Sequence, residues 1–351
     1  MTEAANMKAP DTALIVAGPT CSGKSALALH LAGLIGGTVI NADSMQVYRD
    51  LRLLTARPTP LEEARVPHRL YGVRDAARPG SVAWWRAEAL KELARCAAEG
   101  RVPVFCGGSG MYLRAMTEGL VEVPDPGEAA RLEARQLLAT LGAPGLHARL
   151  AQVDGETARR LQPGDSQRVA RAWEVWRGTG RGLTSWHTEK GLPPAPCRFV
   201  SIRLDPPRPL LREAIRARFR DMVHHGALDE VSALLSRGLS PDLPAMRAHG
   251  VPELAAVLQG RMKLEDAIEA AVLATGRYTR RQATWFRHHA LGRPEDSFVI
   301  PHRFDGGFDG GLLEQDDKGR QDERTAAFAE GVKNLVSRLQ PAPAVIGALH
   351  Q

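Results

Sequence analysis

Cysteine is scarce: Cys21, Cys96, Cys106 and Cys197 are the only four in 351 residues, and none stands in C-x-x-C spacing with another. That spacing argues against a structural zinc site, and a reducing cytoplasm is the simpler setting for unpaired thiols. No apolar run approaches the roughly 20 residues that a helix needs to cross a bilayer, so no membrane partner is expected. The N-terminal residues carry Glu3 and Lys8 and lack an apolar stretch, so no signal peptide is expected either. Two motifs are also missing. The apolar run Val102–Cys106 leads into Gly107-Gly-Ser-Gly110, where a nucleoside triphosphatase would usually end the strand in Asp or Glu to hold Mg²⁺ or orient water. No Asn-Lys-x-Asp guanine-reading motif occurs. A nucleotide-driven switch is therefore disfavoured.

What is present is a complete G-x-x-x-x-G-K-S loop, Gly18-Pro-Thr-Cys-Ser-Gly-Lys-Ser25, preceded by an apolar strand (Leu14–Ala17) and followed by a helical run (Ala26–Leu31). In that context Gly18 and Gly23 let the backbone turn its N–H groups inward, with Pro19, Thr20, Cys21 and Ser22 between them. The helix N-terminus and Lys24 add positive charge, and the Ser25 hydroxyl offers a ligand to Mg²⁺. Such nucleotide-binding, ATP-binding-type loops take a di- or triphosphate. With the acidic strand end absent, a diphosphate held as a leaving group fits better than a phosphoryl donor.

Thr38–Asp43 reads as a second strand whose carboxyl end presents Asp43, followed by Ser44, Met45 and Gln46. In a doubly wound sheet that end lies near the ligand. A carboxylate there can act as a general base, bind metal through water, or simply cap a helix. Alternating short strands and helices over 12–120 predict an α/β fold: a P-loop NTPase-like parallel sheet core. Pro124-Asp-Pro-Gly127 interrupts it, and helical periodicity through Leu132, Leu137, Leu138, Leu141, Val169, Ala172 and Trp173 predicts a helical insertion domain. The division expected is 1–122 for the first part of the core, 123–196 for the insertion, 197–303 for core completion, and 304–351 for a low-complexity linker and dispensable tail. Formal charge is +6 and pI about 9.4, which suits a polyanionic partner. Arg277–His289 has no acid and interleaves arginines with Tyr278, Trp285 and Phe286. On a helix Arg277, Arg280, Arg281 and Thr284 share a face, as an RNA-gripping surface or a solvated helix would. Gln167, Arg168 and Arg171 pose the same choice.

These residues resemble the tRNA dimethylallyltransferases, the IPP transferase family. The resemblance rests on an ordered set from about residue 12 to 290: Gly18–Ser25, Asn41–Arg49, Thr55–Thr59, Val66-Pro-His68, Gly107–Arg114, Asp165–Arg171, Arg218–Met222, Gly226–Val231 and Thr279–Arg287. It implies transfer of a dimethylallyl group from dimethylallyl diphosphate to N6 of adenosine 37 in the anticodon stem-loop of tRNAs reading codons that begin with U, with Mg²⁺ as cofactor. It also implies a cytoplasmic monomer. Asp43 becomes the candidate base and Arg218 the diphosphate ligand, although Arg218 sits among Arg212, Arg216 and Arg220 and can equally be read as a surface residue. The implied tRNA contacts are Asp43, Ser44, Met45, Gln46, Ser109, Arg131, Gln167, Arg168, Val169, Ala170, Arg171, Arg277, Arg280 and Arg281, with Thr20 bordering the channel. Ser109 stands where the family usually has threonine. Residues 51–55, 181–185 and 248–254 depart from the family pattern, the last lacking a tyrosine and a basic residue; His249 there is read as a packing or capping residue. The alternatives are an isopentenyltransferase acting on free adenine nucleotides, a small-molecule kinase, and a nucleotide-driven binding module.

Overall fold

A computed structural model describes residues 10–304. The chain forms two compact units, one running to Thr117 and resuming at Ala195, the other comprising Glu118–Pro194.

The first unit is built on six parallel strands: β1 (Thr12–Ala17), β2 (Gly37–Asn41), β3 (His68–Arg69), β4 (Val102–Gly107), β5 (Arg198–Leu204) and β6 (Ser297–Ile300). Their spatial order is β3-β2-β4-β1-β5-β6. On the central strand, Val16 pairs with Cys106 on one side and Ile202 on the other. Because every strand points the same way, the turns after β1, β2, β4 and β5 all open at one edge of the sheet. Period-2 alternation sends Leu14 and Val16 to one face and Ala13, Ile15 and Ala17 to the other, and each set enters its own buried cluster. Both faces are thus covered by helices, as a parallel sheet requires.

Helices α1 (Lys24–Leu34), α2 (Pro60–Arg65), α3 (Val82–Ala98) and α4 (Gly110–Thr117) belong to the first half of this unit. Side-chain caps set their starts: Thr59 and Glu62 form a reciprocal capping box at α2, and the Ser81 hydroxyl accepts from the Trp84 amide at α3. The second unit holds α5 (Gly127–Val153), α6 (Gly155–Arg159), α7 (Ser166–Thr179) and α8 (Leu183–His187). Helix α5 is bent at Gly142, whose backbone is non-helical, two residues before Pro144. Ala134, Leu146, Leu150, Val169, Ala172 and Trp173 make this unit's core, whereas Leu132 and Leu141 of the expected apolar stripe are exposed. Val169 is 0% exposed, so the RNA contact expected of it is corrected: its side chain fills the helical core. Ala170 packs against the same cluster and offers RNA little more than backbone.

The chain then completes the first unit with α9 (Arg208–His224), α10 (Ala227–Ser236), α11 (Val251–Leu258) and α12 (Leu264–His288). Arg216 to Glu269 (2.6 Å) and Arg220 to Glu265 (3.3 Å) join α9 to α12, and the reversed numbering makes the two helices antiparallel. The boundary expected at 304 also needs correction. Phe304 is 2% exposed within the β1–α1 cluster, so the core extends through it. The tail expected beyond Phe304 lies outside the described residues.

Candidate active site

The Gly18–Ser25 loop leaves the end of β1 and enters α1. Cys21 (φ 65°) and Gly23 (φ 90°) both adopt left-handed backbone, and this alternation turns successive N–H groups toward one concavity. The first-turn N–H groups of α1 have no intrahelical acceptor and open there too. Gly23 has a second reason to lack a side chain: a Cβ would lie 1.7 Å from the Phe304 carbonyl oxygen. The segment after β6 crosses the loop from outside, Phe304 N–H donating to Ser22 O (3.0 Å) and Arg303 Nε donating to Cys21 O (3.1 Å). Ser22 Oγ is fully buried with no hydrogen-bond partner among the described residues, Lys24 is half-buried, and Ser25 is exposed.

Asp43 stands just past β2, separated from the loop by the end of β4. Its Oδ1 accepts from the Met45 amide (2.9 Å), and its own amide donates to Asn41 Oδ1 (2.8 Å). This is a turn rather than a helix cap, and it leaves Oδ2 without a protein hydrogen bond among the described residues. The turn after β4 packs against it: Ser44 N–H donates to Ser109 Oγ (2.9 Å), and Ser109 N–H to Ala42 O (3.1 Å). Cys106 fills the strand end where an acid was absent. Burial pushes its thiol up to about 11, while the Lys24 ammonium and a hydrogen bond to Ser25 oppose this and Asp43 reinforces it. One buried thiol therefore lies between the loop's cation and hydroxyl and the Asp43 carboxylate.

Helix α12 closes the cluster through residues that its arginines overshadow in the sequence. Gln282, buried, accepts at Oε1 from Thr20 N–H (3.0 Å) and Thr20 Oγ1 (3.4 Å), and donates from Nε2 to Gly108 O (2.9 Å). One amide thus joins the turn after β1 to the turn after β4. Gly108 permits this, because a Cβ would lie 2.2 Å from Nε2. One turn earlier, the phenol of Tyr278 sits by Ser109 and Gln282; burial pushes its pKa up, and Asp43 adds to the effect. The signal for both residues was their four-residue spacing opposite the arginine face. Phe286 is buried and Trp285 lies over Gly110, stacked on His289 at 4.2 Å. These two aromatics, expected to anchor or stack, are spent on packing. His249 packs on Tyr278 (5.2 Å), as read from the sequence, and burial pushes its pKa down.

Arg218 reaches the loop from α9, its Nη1 donating to Cys21 Sγ (3.6 Å). The choice left open in the sequence is thereby narrowed: it is half-buried against the loop while Arg220 is an exposed ion-pair partner. Gln46 is corrected. Its amide is buried and donates to Thr55 O and Ala56 O (both 2.9 Å), so it builds the 44–57 segment rather than facing a ligand. Met45 is half-buried against the core. Arg277, Arg280 and Arg281 are exposed, with Arg281 5.6 Å from the Tyr278 ring centroid. In the helical unit Arg131 pairs with Asp125 (2.6 Å), Arg168 with Asp165 (3.5 Å) and Arg171 with Glu174 (3.3 Å), while Gln167 is exposed. The Glu230 carboxylate went unread in the sequence; it accepts the N–H groups of Arg52 (2.6 Å), Leu53 (2.7 Å) and Leu54 (3.0 Å).

The sequence model of the IPP transferase family matches residues 46–289. The tRNA dimethylallyltransferase of Gluconobacter oxydans (strain 621H) is 69% identical over 293 residues, covering 84% of this chain and 88% of that protein. That of Gluconacetobacter diazotrophicus is 61% identical over 306 residues, covering 87% and 92%. Among solved structures, the full-length tRNA isopentenylpyrophosphate transferase of Bacillus halodurans superposes with a TM-score of 0.61 at 29% identity, covering 94% of this chain and 99% of that one. A eukaryotic dimethylallyltransferase acting on tRNA gives a TM-score of 0.70 at 22% identity over 95% and 81%, a likeness of fold.

Proposed function

This chain belongs to the IPP transferase family, and from that premise we propose that it is a tRNA-modifying transferase that moves the dimethylallyl group of dimethylallyl diphosphate to N6 of adenosine 37, beside the anticodon of tRNAs reading codons that begin with U. The observation that carries the reading is the pairing of an inward-turned N–H loop, flanked by Lys24 and Arg218, with a carboxylate whose Oδ2 is free. The two halves meet the two demands of the reaction.

An exocyclic adenine amine is a weak nucleophile because its lone pair is delocalised into the ring. As N6 bonds to the C1 carbon of the dimethylallyl group, the C1–O bond breaks and its electrons leave with diphosphate. Asp43 accepts the proton that N6 must lose. The loop N–H groups, Lys24 and Arg218 stabilise the departing charge. A base extruded from its stack reaches Asp43 past Ser44 and Ser109, with the neutral Tyr278 phenol alongside. The exposed Ser25 hydroxyl at the loop suits Mg²⁺ held largely by water and diphosphate, because that hard cation favours oxygen and keeps much of its hydration. Bound there, it would neutralise diphosphate charge. Among the described residues no helix is long and apolar enough to cross a membrane and no cysteine is paired, observations that support action in the cytoplasm. A monomer is the working assembly.

The test supplies unmodified tRNA, Mg²⁺ and radiolabelled dimethylallyl diphosphate, with AMP and ATP as competing acceptors. Label is expected in tRNA. Asp43→Ala should reduce turnover by about 10²–10⁴ while tRNA binding persists. Label confined to free nucleotides would move the assignment to a nucleotide isopentenyltransferase, and equal loss of binding and turnover would remove Asp43 as the base.

A further inference from the structure

Helices α9 and α12 carry arginines along their whole shared length but treat them differently at the two ends. Where α9 ends and α12 begins, Arg216 and Arg220 are neutralised by Glu269 and Glu265. At the other end the two helices bound a cavity of about 610 Å³ lined by Arg208, Arg212, Arg277, Arg280 and Arg287. Its apolar floor includes Leu211, Ile215 and Val272. Among the described residues, Arg208, Arg212, Arg277 and Arg280 pair with no carboxylate; Asp205, the cavity's only acid, lies 3.6 Å from Arg287 and 4.0 Å from Arg203. Five guanidinium groups against one lining carboxylate leave positive charge in excess there, and a bound polyanion relieves their mutual repulsion. The N-terminus of α9 opens at the same place with no acid in its first turn, so its dipole adds to the positive field.

We infer that this groove is a subsite for the sugar–phosphate backbone of the substrate RNA, separate from the adenosine site and indifferent to base identity. The inference rests on the reading that tRNA is the acceptor. Size argues against a single phosphate or diphosphate: Arg277 to Arg287 alone spans about 15 Å of helix. The apolar floor suits ribose carbons, and arginine forks suit phosphate oxygens bidentately. The arginines of α12 thereby divide, Arg281 toward Tyr278 and the adenosine site, the others toward the groove. Arg208 and Arg212 of α9 enter the RNA-contacting set, whose arginines the sequence reading had drawn only from α12 and the helical insertion.

The experiment compares the wild-type chain with Arg208→Gln/Arg212→Gln and, as a control on the same helix, with the ion-paired Arg220→Gln. Dissociation constants for unmodified tRNA are measured from 50 to 300 mM KCl, together with kcat and the KM for dimethylallyl diphosphate. The double variant should bind tRNA about tenfold more weakly at low salt. Its slope of log K against log[salt] should fall by roughly 1.5, since each phosphate contact contributes about 0.7–0.9. At saturating tRNA, kcat and the KM for dimethylallyl diphosphate should stay within about twofold. The same loss should appear with tRNA carrying guanosine at position 37, because the contact reads backbone. An unchanged slope, an equal effect of Arg220→Gln, or a loss restricted to RNA with the target adenosine would each overturn the inference. A wild-type chain that binds no tRNA would instead remove the acceptor reading and this one with it.

Discussion

Gln282 carries the densest set of consequences for its size. Its single amide accepts from Thr20 on the glycine-rich loop and donates to Gly108 on the neighbouring turn, while its helix presents arginines to solvent. Gln282→Ala leaves a loop N–H and a buried carbonyl unpaired. Misplacement of a reacting group by about an ångström can cost on the order of 10² in rate. We therefore expect kcat to fall about 10–100-fold with tRNA affinity retained, measured by single-turnover labelling beside a binding titration. A loss of tRNA affinity with normal turnover would contradict the positioning role. Gly108→Ala should reproduce the defect, because the new Cβ would lie 2.2 Å from Gln282 Nε2 and push the amide away.

At the scale of elements, the 44–57 segment is held from two sides. Gln46 ties its own chain to Thr55 and Ala56, and Glu230 of α10 gathers the three amides of residues 52–54. The departure from the family pattern at 51–55 therefore leaves an anchored segment, since a carboxylate holding backbone N–H groups tolerates a change of side chains. Glu230→Ala removes the charged acceptor from all three donors and should destabilise the fold by about 2–3 kcal/mol. Urea titration reads this as a lower midpoint at unchanged slope. Glu230→Gln, which keeps an acceptor oxygen, should recover part of the loss. The departure at 248–254 has a comparable explanation: His249 packs on Tyr278, and the Gly250 amide is capped by Glu253 (3.1 Å).

At the scale of the whole molecule, two half-buried histidines make stability depend on pH near neutrality. Burial is the main cause that lowers the pKa of both His68 and His249 from 6.5. Between those lowered native values and 6.5 the unfolded chain binds more protons than the native one. Stability from these two residues is thus fully present above pH 6.5 and lost as pH falls below it. Denaturation midpoints at pH 7.5, 6.5 and 5.5 should decline, and His68→Gln/His249→Gln should flatten that decline; an equally steep fall in the double variant would exclude these histidines as its source.

Much of the fold was legible in the sequence alone because it depends on local pattern: apolar strands at Leu14–Ala17 and Val102–Cys106, a strand from Thr38 that ends at Asn41 rather than Asp43, a glycine-rich turn entering a helix, and helical periodicity between 123 and 196. Asp43 and the loop were legible for the same reason, since the end of a parallel strand is a position along the chain. What only tertiary structure decided is which side chains face which neighbours across long separations. Gln46 and Val169, both candidate contacts in the sequence, turn into the interior, while Gln282, 262 residues from Thr20, turns toward the site. Glu230 likewise meets a segment some 177 residues away. The pairing of some arginines with acids and the convergence of others on one groove also arises only when α9 and α12 pack antiparallel. Period and turn chemistry act within a few residues; hydrogen-bond partners and uncompensated charge depend on packing between elements.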